Sequence, residues 1–251
     1  MYAKQLKSYL LLDCKLFMRE PMVMFFAFVF PALMYLIFGF MFRDMTYGEG
    51  SVSYYDQYTA SFMGIILLNV ALFNIGPGLA IYKERGFFRR LVITPLHMSV
   101  IFSATTIRSF LLFLGGTIQI FILGWLMFDR VPPEHIGQIF IGLSLSGFAL
   151  FSLGFMFGSF FKTSGAAFGA SIVTFQVMLM LSGAGMPLEQ LPGFVQVIAN
   201  IIPMKHVVDI LRLSWQGSLF SSVALLPTSI CVAAGIIGLV VSSRIFRWSA
   251  K

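Results

Sequence analysis

The chain has 251 residues, of which 58% are hydrophobic and only 11% are charged, and its mean hydropathy is +0.89. A soluble domain of this length needs more polar surface than this composition supplies, so an integral membrane protein is predicted. The net charge of +7 does not indicate a nucleic-acid partner, because basic residues of membrane proteins concentrate in their cytoplasmic loops.

Residues 1–20 are predicted to form an amphipathic helix that does not cross the membrane. At 100° per residue, its basic residues fall within an arc of roughly 120°. The basic arc holds Lys4, Lys7, Lys15 and Arg19, and the opposite side holds Leu6, Tyr9, Leu10, Leu16 and Phe17. Such a helix lies along the membrane surface, near anionic head groups. Asp13 interrupts the apolar side, and a plain basic flank that orients the first span is the alternative interpretation.

Six apolar stretches are long enough to cross a hydrocarbon core of about 30 Å, which takes roughly 20 helical residues. They are Met22–Phe42, Gln57–Ile81, Ile101–Phe128, Ile136–Phe161, Ala166–Gly185 and Ser222–Ile245. A β-barrel would instead show short segments of alternating polarity, and the chain has none. The predicted fold is therefore an all-α integral membrane protein of six transmembrane helices, in one domain over residues 1–251.

The distribution of Lys and Arg predicts the orientation, because positive residues near spans resist translocation. With a cytoplasmic N-terminus, one side carries Lys4, Lys7, Lys15, Arg19, Lys83, Arg85, Arg89, Arg90, Lys162, Arg244, Arg247 and Lys251. The other side carries Arg43, Arg130, Lys205 and Arg212. Twelve against four, with Arg108 set aside inside the third span, predicts that both termini are cytoplasmic.

The loop of residues 82–97, between the second and third spans, places two phenyl rings between charged clusters. Gly86 and Pro95 are predicted to bracket a short helix there. Rings flanked by guanidinium groups are typical of a docking surface, on which an aromatic side chain enters a partner's groove. The candidate docking residues are Lys83, Glu84, Arg85, Gly86, Phe87, Phe88, Arg89, Arg90 and Leu91. A basic loop whose rings lie in the head-group layer is the alternative interpretation.

Three polar residues inside predicted spans are candidates for a transport pathway. Arg108 lies about two turns into the third span, and because an ionisable group inside a span is costly, it is a candidate for a function. It either lines a cavity or extends to the head groups. Asn69 and Asn74, in the second span, either line the same pathway or hydrogen-bond across helices.

Residues 186–217 are moderately apolar but are interrupted by Pro187, Pro192 and Pro203. Each proline removes a backbone donor and breaks the helix. Broken backbone at membrane depth persists only where it is buried in protein or lies beside water, so a re-entrant outer gate is predicted. A plain extracellular loop with a surface helix is the alternative.

Several of these motifs resemble those of type-2 ATP-binding-cassette (ABC) permeases. The resemblance covers nearly the whole chain and runs through Arg19-Glu20-Pro21, Phe30-Pro31, Phe38-Gly39, Glu84-Arg85-Gly86, Arg89-Arg90-Leu91, Thr94-Pro95-Leu96, Ser182-Gly183, Pro187, Leu191-Pro192, Ile202-Pro203 and Arg212. The motifs from Glu84 to Leu96 are similar to the family's coupling-helix region. The motifs from Ser182 to Arg212 are similar to its re-entrant extracellular helices between spans five and six.

The resemblance implies a subunit of an exporter in a cell membrane of bacterial type, moving hydrophobic drugs, antibiotics or lipid-like molecules. Two such subunits, identical or related, would enclose the pathway among membrane lipids. Two copies of a cytoplasmic ABC ATPase would bind ATP and Mg²⁺, so this chain would hold no cofactor or metal and catalyse nothing itself. Consistently, Gly158–Thr163 lacks the glycine before lysine that a phosphate-binding loop needs.

Three other functions are alternatives for a membrane protein of this kind. An ion-coupled secondary transporter usually carries acidic residues at mid-membrane, and no Asp or Glu is placed at a span centre here. A lipid-modifying membrane enzyme needs a clustered acidic or metal-binding motif, and His97, His135 and His206 are scattered. Within the ABC exporters, polysaccharide or glycolipid export is the alternative to drug export.

Overall fold

The computed structural model of the chain describes residues 2–41, 46–47, 52–87, 98–129, 134–184, 188 and 192–245. Nearly all of these residues are helical, which confirms the predicted helical membrane fold. Two very short strands, Thr46–Tyr47 and Val52–Ser53, pair antiparallel before the second span.

The α-helices are α1 (Tyr2–Phe17), α2 (Pro21–Met24), α3 (Phe30–Met41), α4 (Tyr54–Asn69), α5 (Gly76–Glu84), α6 (Met98–Phe128), α7 (Ile136–Phe160), α8 (Ser164–Leu181), α9 (Gly193–Ala199), α10 (Pro203–Trp215) and α11 (Leu225–Ile245). Two π-helical segments, Phe25–Val29 and Val70–Ile75, join α2 to α3 and α4 to α5. A 3-10 turn, Ser222–Ala224, precedes α11. We call the side of the bundle that carries α1 the α1 face.

Five helices are long and apolar enough to cross a membrane: Tyr58–Glu84, Ser99–Phe128, Ile136–Phe160, Ser164–Leu181 and Ser222–Ile245. They confirm the second to sixth predicted spans. The predicted first span contains a shorter apolar helix, Phe25–Met41, and a sixth crossing is reached in the described chain only if α9 and α10, bent by 81°, count as one span. The second span runs to Glu84, three residues beyond its predicted end. The additional residues are Tyr82, Lys83 and Glu84, which are polar or charged and therefore fall in the loop that the sequence predicts.

The second span is the buried centre of the bundle. Almost every residue from Tyr58 to Ala80 is buried, because α6, α7, α8 and α10 all pack against this helix. Glycines of α7 permit the closest approach: a methyl group on Gly154 would lie 2.5 Å from the Ala71 carbonyl oxygen. Small residues at such contacts are how membrane helices pack tightly.

Both π-helical segments end two residues before a proline. Pro31 and Pro77 have no N–H to continue the α-helical ladder, and the preceding residues hydrogen-bond one position further back. The N–H of Phe30 donates to the Phe25 carbonyl, and the N–H of Gly76 donates to the Ala71 carbonyl. The two segments meet through stacked rings of Phe26 and Phe73, whose centroids are 4.8 Å apart.

Replacing Gly154 by Ala should destabilise the fold by about 1–3 kcal/mol, because the new methyl group meets backbone that cannot move aside. Gly169→Ala is the matched control, since nothing lies within 4 Å of its added methyl group, and it should be neutral or stabilising by about 0.5–1 kcal/mol. The measurement is the temperature at which buried Cys231 reacts with a maleimide dye in detergent, with Cys14 replaced by Ser. Equal melting temperatures for both variants would contradict the close packing.

Candidate functional site

Four consecutive residues at the end of the second span each contact a different part of the chain. Tyr82 contacts α1, Lys83 the end of α7, Glu84 the start of α8, and Arg85 the residue before α2. Consecutive helical residues are 100° apart, so four of them project toward every side of a central helix. We call Tyr82–Arg85 the junction.

Lys83 caps the last turn of α7. Its Nζ donates to the carbonyl oxygen of Gly158 at 2.6 Å and to that of Ser159 at 2.9 Å. The last carbonyls of a helix have no partner within the helix, and they carry the negative end of its dipole. A cation satisfies both requirements, so Lys83 is committed to a contact within the chain.

Glu84 binds the opposite kind of helix end. Its Oε2 accepts from the N–H of Ser164 at 2.8 Å and from the Ser164 hydroxyl at 2.6 Å. Ser164 is the first residue of α8, where backbone N–H groups lack partners and the helix dipole is positive. Lys83 and Glu84 thus hold the turn between α7 and α8 from both sides.

Tyr82 belongs to a buried polar cluster that joins three helices. Its hydroxyl donates to Asp13 Oδ1 of α1 at 2.5 Å, and Asp13 Oδ2 lies 2.9 Å from Nε of Arg108 in α6. The Arg108 guanidinium also lies over the Phe17 ring, 4.7 Å from its centroid. The side chains of Arg108 and Asp13 are only 6% and 0% exposed. The structure therefore places both in an ion pair that explains why an acidic residue lies on the apolar side of α1.

The aromatic residues beside this cluster pack against the junction. The Phe87 ring lies 5.0 Å from that of Tyr82 and 6.5 Å from that of Tyr9, between centroids. Burial, and then the negative charge of Asp13, raise the pKa of the Tyr9 hydroxyl, so that it stays protonated. The two ring contacts of Phe87 leave it half-buried.

Gly86 ends the second span. Its φ of 64° lies in the left-handed region, which glycine adopts without strain, and its N–H donates to the Lys83 carbonyl. Arg85 and Glu20 form a largely exposed ion pair at 3.6 Å, which is a weak contact. The remaining predicted docking residues, Phe88, Arg89, Arg90 and Leu91, lie outside the described residues.

The other two pathway candidates are buried in the second span. The side-chain amides of Asn69 and Asn74 have no hydrogen-bond partner among the described residues. Asn74 lies in the π-helical segment Val70–Ile75. Nothing in this placement assigns either residue to a pathway, and that role stays a prediction.

A groove of about 500 Å³ lies between α6, α7 and α11. Its lining includes Phe110, Phe148, Phe155 and Leu239. The two serine hydroxyls in the lining, those of Ser144 and Ser152, donate to carbonyls of their own helix. The groove is therefore apolar, and Asn69, Asn74 and Arg108 do not line it.

At the end of the bundle opposite the α1 face, prolines stand at the start of two short helices. Pro192 precedes α9, and Pro203 is the first residue of α10, a position that suits proline. Pro187 lies outside the described residues. The 81° bend agrees with the predicted broken helix pair, while gating stays a prediction. Arg212 of α10 donates to the Ser61 hydroxyl at 2.8 Å and to the Gly183 carbonyl at 2.7 Å.

Known proteins share the sequence features of this chain. The profile of the family described as ABC-2 type transporter matches residues 4–214. A proposed transport permease of Cyanophora paradoxa, ycf38, is 25% identical over 217 residues, which cover 81% of this chain and 72% of that protein. Nodulation protein J of Rhizobium meliloti (strain 1021) is 40% identical over 57 residues, which cover 23% of this chain and 22% of that protein.

Replacing Asp13 by Asn should destabilise the chain by about 3–5 kcal/mol, because Arg108 is left buried without a countercharge. The carboxamide oxygen still accepts from Tyr82, so the variant isolates the loss of charge. Adding Arg108→Gln should recover much of the lost stability in the Cys231 melting assay. Arg108→Gln is also measured alone. If the destabilisation of the double variant equals the sum of the destabilisations of the two single variants, the residues are not a coupled pair.

Lys83→Met keeps the aliphatic stem but leaves two carbonyls of α7 without a donor. We expect a loss of about 1–3 kcal/mol, the usual result of leaving buried polar groups unsatisfied. Lys162→Met, at an exposed position in the adjacent turn, is the control and should change stability little. Unfolding of both variants in detergent is the measurement, and equal losses would contradict the capping role of Lys83.

Proposed function

This chain belongs to the ABC-2 type transporter family, and we propose that it is the membrane-spanning permease subunit of an ATP-driven exporter with a separate ATPase chain. The observation that carries the proposal is the junction. Residues 86–97, which we call the coupling segment, follow the junction directly in the chain and belong to the region similar to the family's coupling helix. A force on the coupling segment therefore reaches the helices that Tyr82–Arg85 bind.

In this proposal the α1 face is cytoplasmic. The uneven distribution of Lys and Arg supports this orientation, which puts both termini in the cytoplasm of a bacterial-type cell. Residues 1–251 then act as one permease domain, with the helix α1 at the inner membrane surface. The bent pair α9–α10 lies on the outer side, where Pro192 and Pro203 belong to a gate.

The proposed partner is a cytoplasmic ABC ATPase in two copies. Each copy binds and hydrolyses ATP with Mg²⁺, and this chain binds no cofactor. A second permease, identical or related, completes the pathway across the membrane. ATP-driven closure of the ATPases displaces the coupling segment and shifts the packed helices, a known kind of switching transition.

The proposed docking site for the ATPase is the part of the coupling segment that follows Phe87. Lys83 and Glu84 are engaged within the chain, and Phe87 packs on Tyr82. Arg89 and Arg90 are therefore the proposed contacts to carboxylates of the ATPase, and Phe88 is the proposed aromatic contact.

The proposed substrates are hydrophobic drugs, antibiotics or lipid-like molecules. The apolar groove between α6, α7 and α11 supports this class, because it presents almost no polar group that a sugar polymer would need. Family membership favours ATP as the energy source over an ion gradient.

The test is co-purification with the ABC ATPase subunits of the source organism, co-expressed with this chain. The parent chain should retain the ATPase on an affinity column, and the double charge reversal Arg89→Glu/Arg90→Glu should abolish retention. Lys162→Glu is the control, because it reverses an exposed charge on the same face outside the coupling segment. Full retention by the double reversal would contradict the docking role, and no retention by the parent would contradict the proposed function.

A further inference from the structure

The turn between α7 and α8 is held by more contacts than chain reversal requires. Thr163 already caps α8, since its hydroxyl oxygen accepts from the N–H of Ala166. Even so, Glu84 accepts two further hydrogen bonds from Ser164, and Lys83 donates two to the carbonyl oxygens of Gly158 and Ser159. The two helix ends that flank the turn are thus both bonded to the end of the second span.

The geometry of these bonds makes the connection stiff. Three of the four involve backbone atoms of α7 or α8, which cannot rotate away as a side chain can. Each is also charge-assisted, with Lys83 at the negative end of one helix and Glu84 at the positive end of the next. On the other side of the second span, Tyr82 holds α1 through Asp13.

We propose that Lys83 and Glu84 are positioning residues that tie the ends of α7 and α8 to the second span and α1, so that these elements move as one body. The inference rests on the proposed function, because the motion is the one that the ATPase drives. Gly86, which follows the junction directly, then marks where the rigid body ends and the coupling segment begins.

The tie to α8 offers a test that preserves the helix. Ser164→Pro removes both donors to Glu84 at the first helical position, which proline favours. The preceding residue, Thr163, already has φ −118° and ψ 146°, the extended conformation that a residue before proline adopts. Glu84→Ala removes the same bonds from the other side. Ser164→Ala is the matched control, because it keeps the backbone N–H bond.

The measurement is a distance between two spin labels in the purified complex with the ATPase, without nucleotide and after trapping with ATP and vanadate. Labels are placed at Lys4→Cys on α1 and Gly165→Cys on α8, both exposed positions, after replacing Cys14 and Cys231 by Ser. Nothing lies within 4 Å of a Cβ at position 165. Binding of the parent chain to the ATPase is checked first, and its failure would count against the proposed function alone.

In the parent and in Ser164→Ala, trapping should leave the distance unchanged. In Ser164→Pro and Glu84→Ala it should shift the distance by about 2 Å or more, the scale of helix shifts in switching transitions. A shift in the parent, or no shift in either variant, would overturn the proposal. It would also be overturned if neither variant bound the ATPase, because the tie would then serve assembly and not motion.

Discussion

A helix that is covered on every side can contact a different neighbour with each of its last residues, because these residues project in different directions. The second span is such a helix, and its last residues project in all directions at 100° intervals. Each residue of the junction therefore meets a different partner: an acid on α1, the carbonyls that end α7, the donors that begin α8, and an acid before α2. The contacts described at the α1 face therefore converge on this one helix end.

The buried pair of Asp13 and Arg108 determines how α1 lies on the bundle. Asp13 is the one acidic residue in α1, so only one rotation of that helix brings a countercharge to Arg108. A buried ion pair contributes little net stability, since desolvation offsets its attraction, but a wrong pairing leaves a charge uncompensated. We therefore expect the pair to act mainly on specificity of packing. It links α6 and α1 to the second span, because Tyr82 donates to the same carboxylate.

Within the bundle, the second span packs through small residues and aromatic rings. Glycines of α7 bring the two backbones into contact near Ala71, where the helix is π-helical before Pro77. The first apolar helix carries a matching π-helical segment before Pro31, and Phe26 stacks on Phe73 between them. The two interruptions of the α-helical hydrogen bonding therefore meet where Phe26 stacks on Phe73. Charged groups hold the second span at the junction. The central helix is therefore firmly bonded at the α1 face and irregular within the bundle.

The sequence by itself determined the membrane class, the second to sixth spans, the amphipathic character of α1 and the motifs of the family. These properties are local or compositional: hydropathy accumulates along a helix, and charge is counted loop by loop. Tertiary structure alone decided that Asp13 pairs with Arg108, that Lys83 and Glu84 bind helix ends, and that Phe87 packs on Tyr82. Each of these contacts depends on which helices become neighbours and on their rotation, and one sequence carries no signal for that. The helix also continues through Tyr82–Glu84 because their partners lie on α1, α7 and α8, which turns predicted loop residues into the junction.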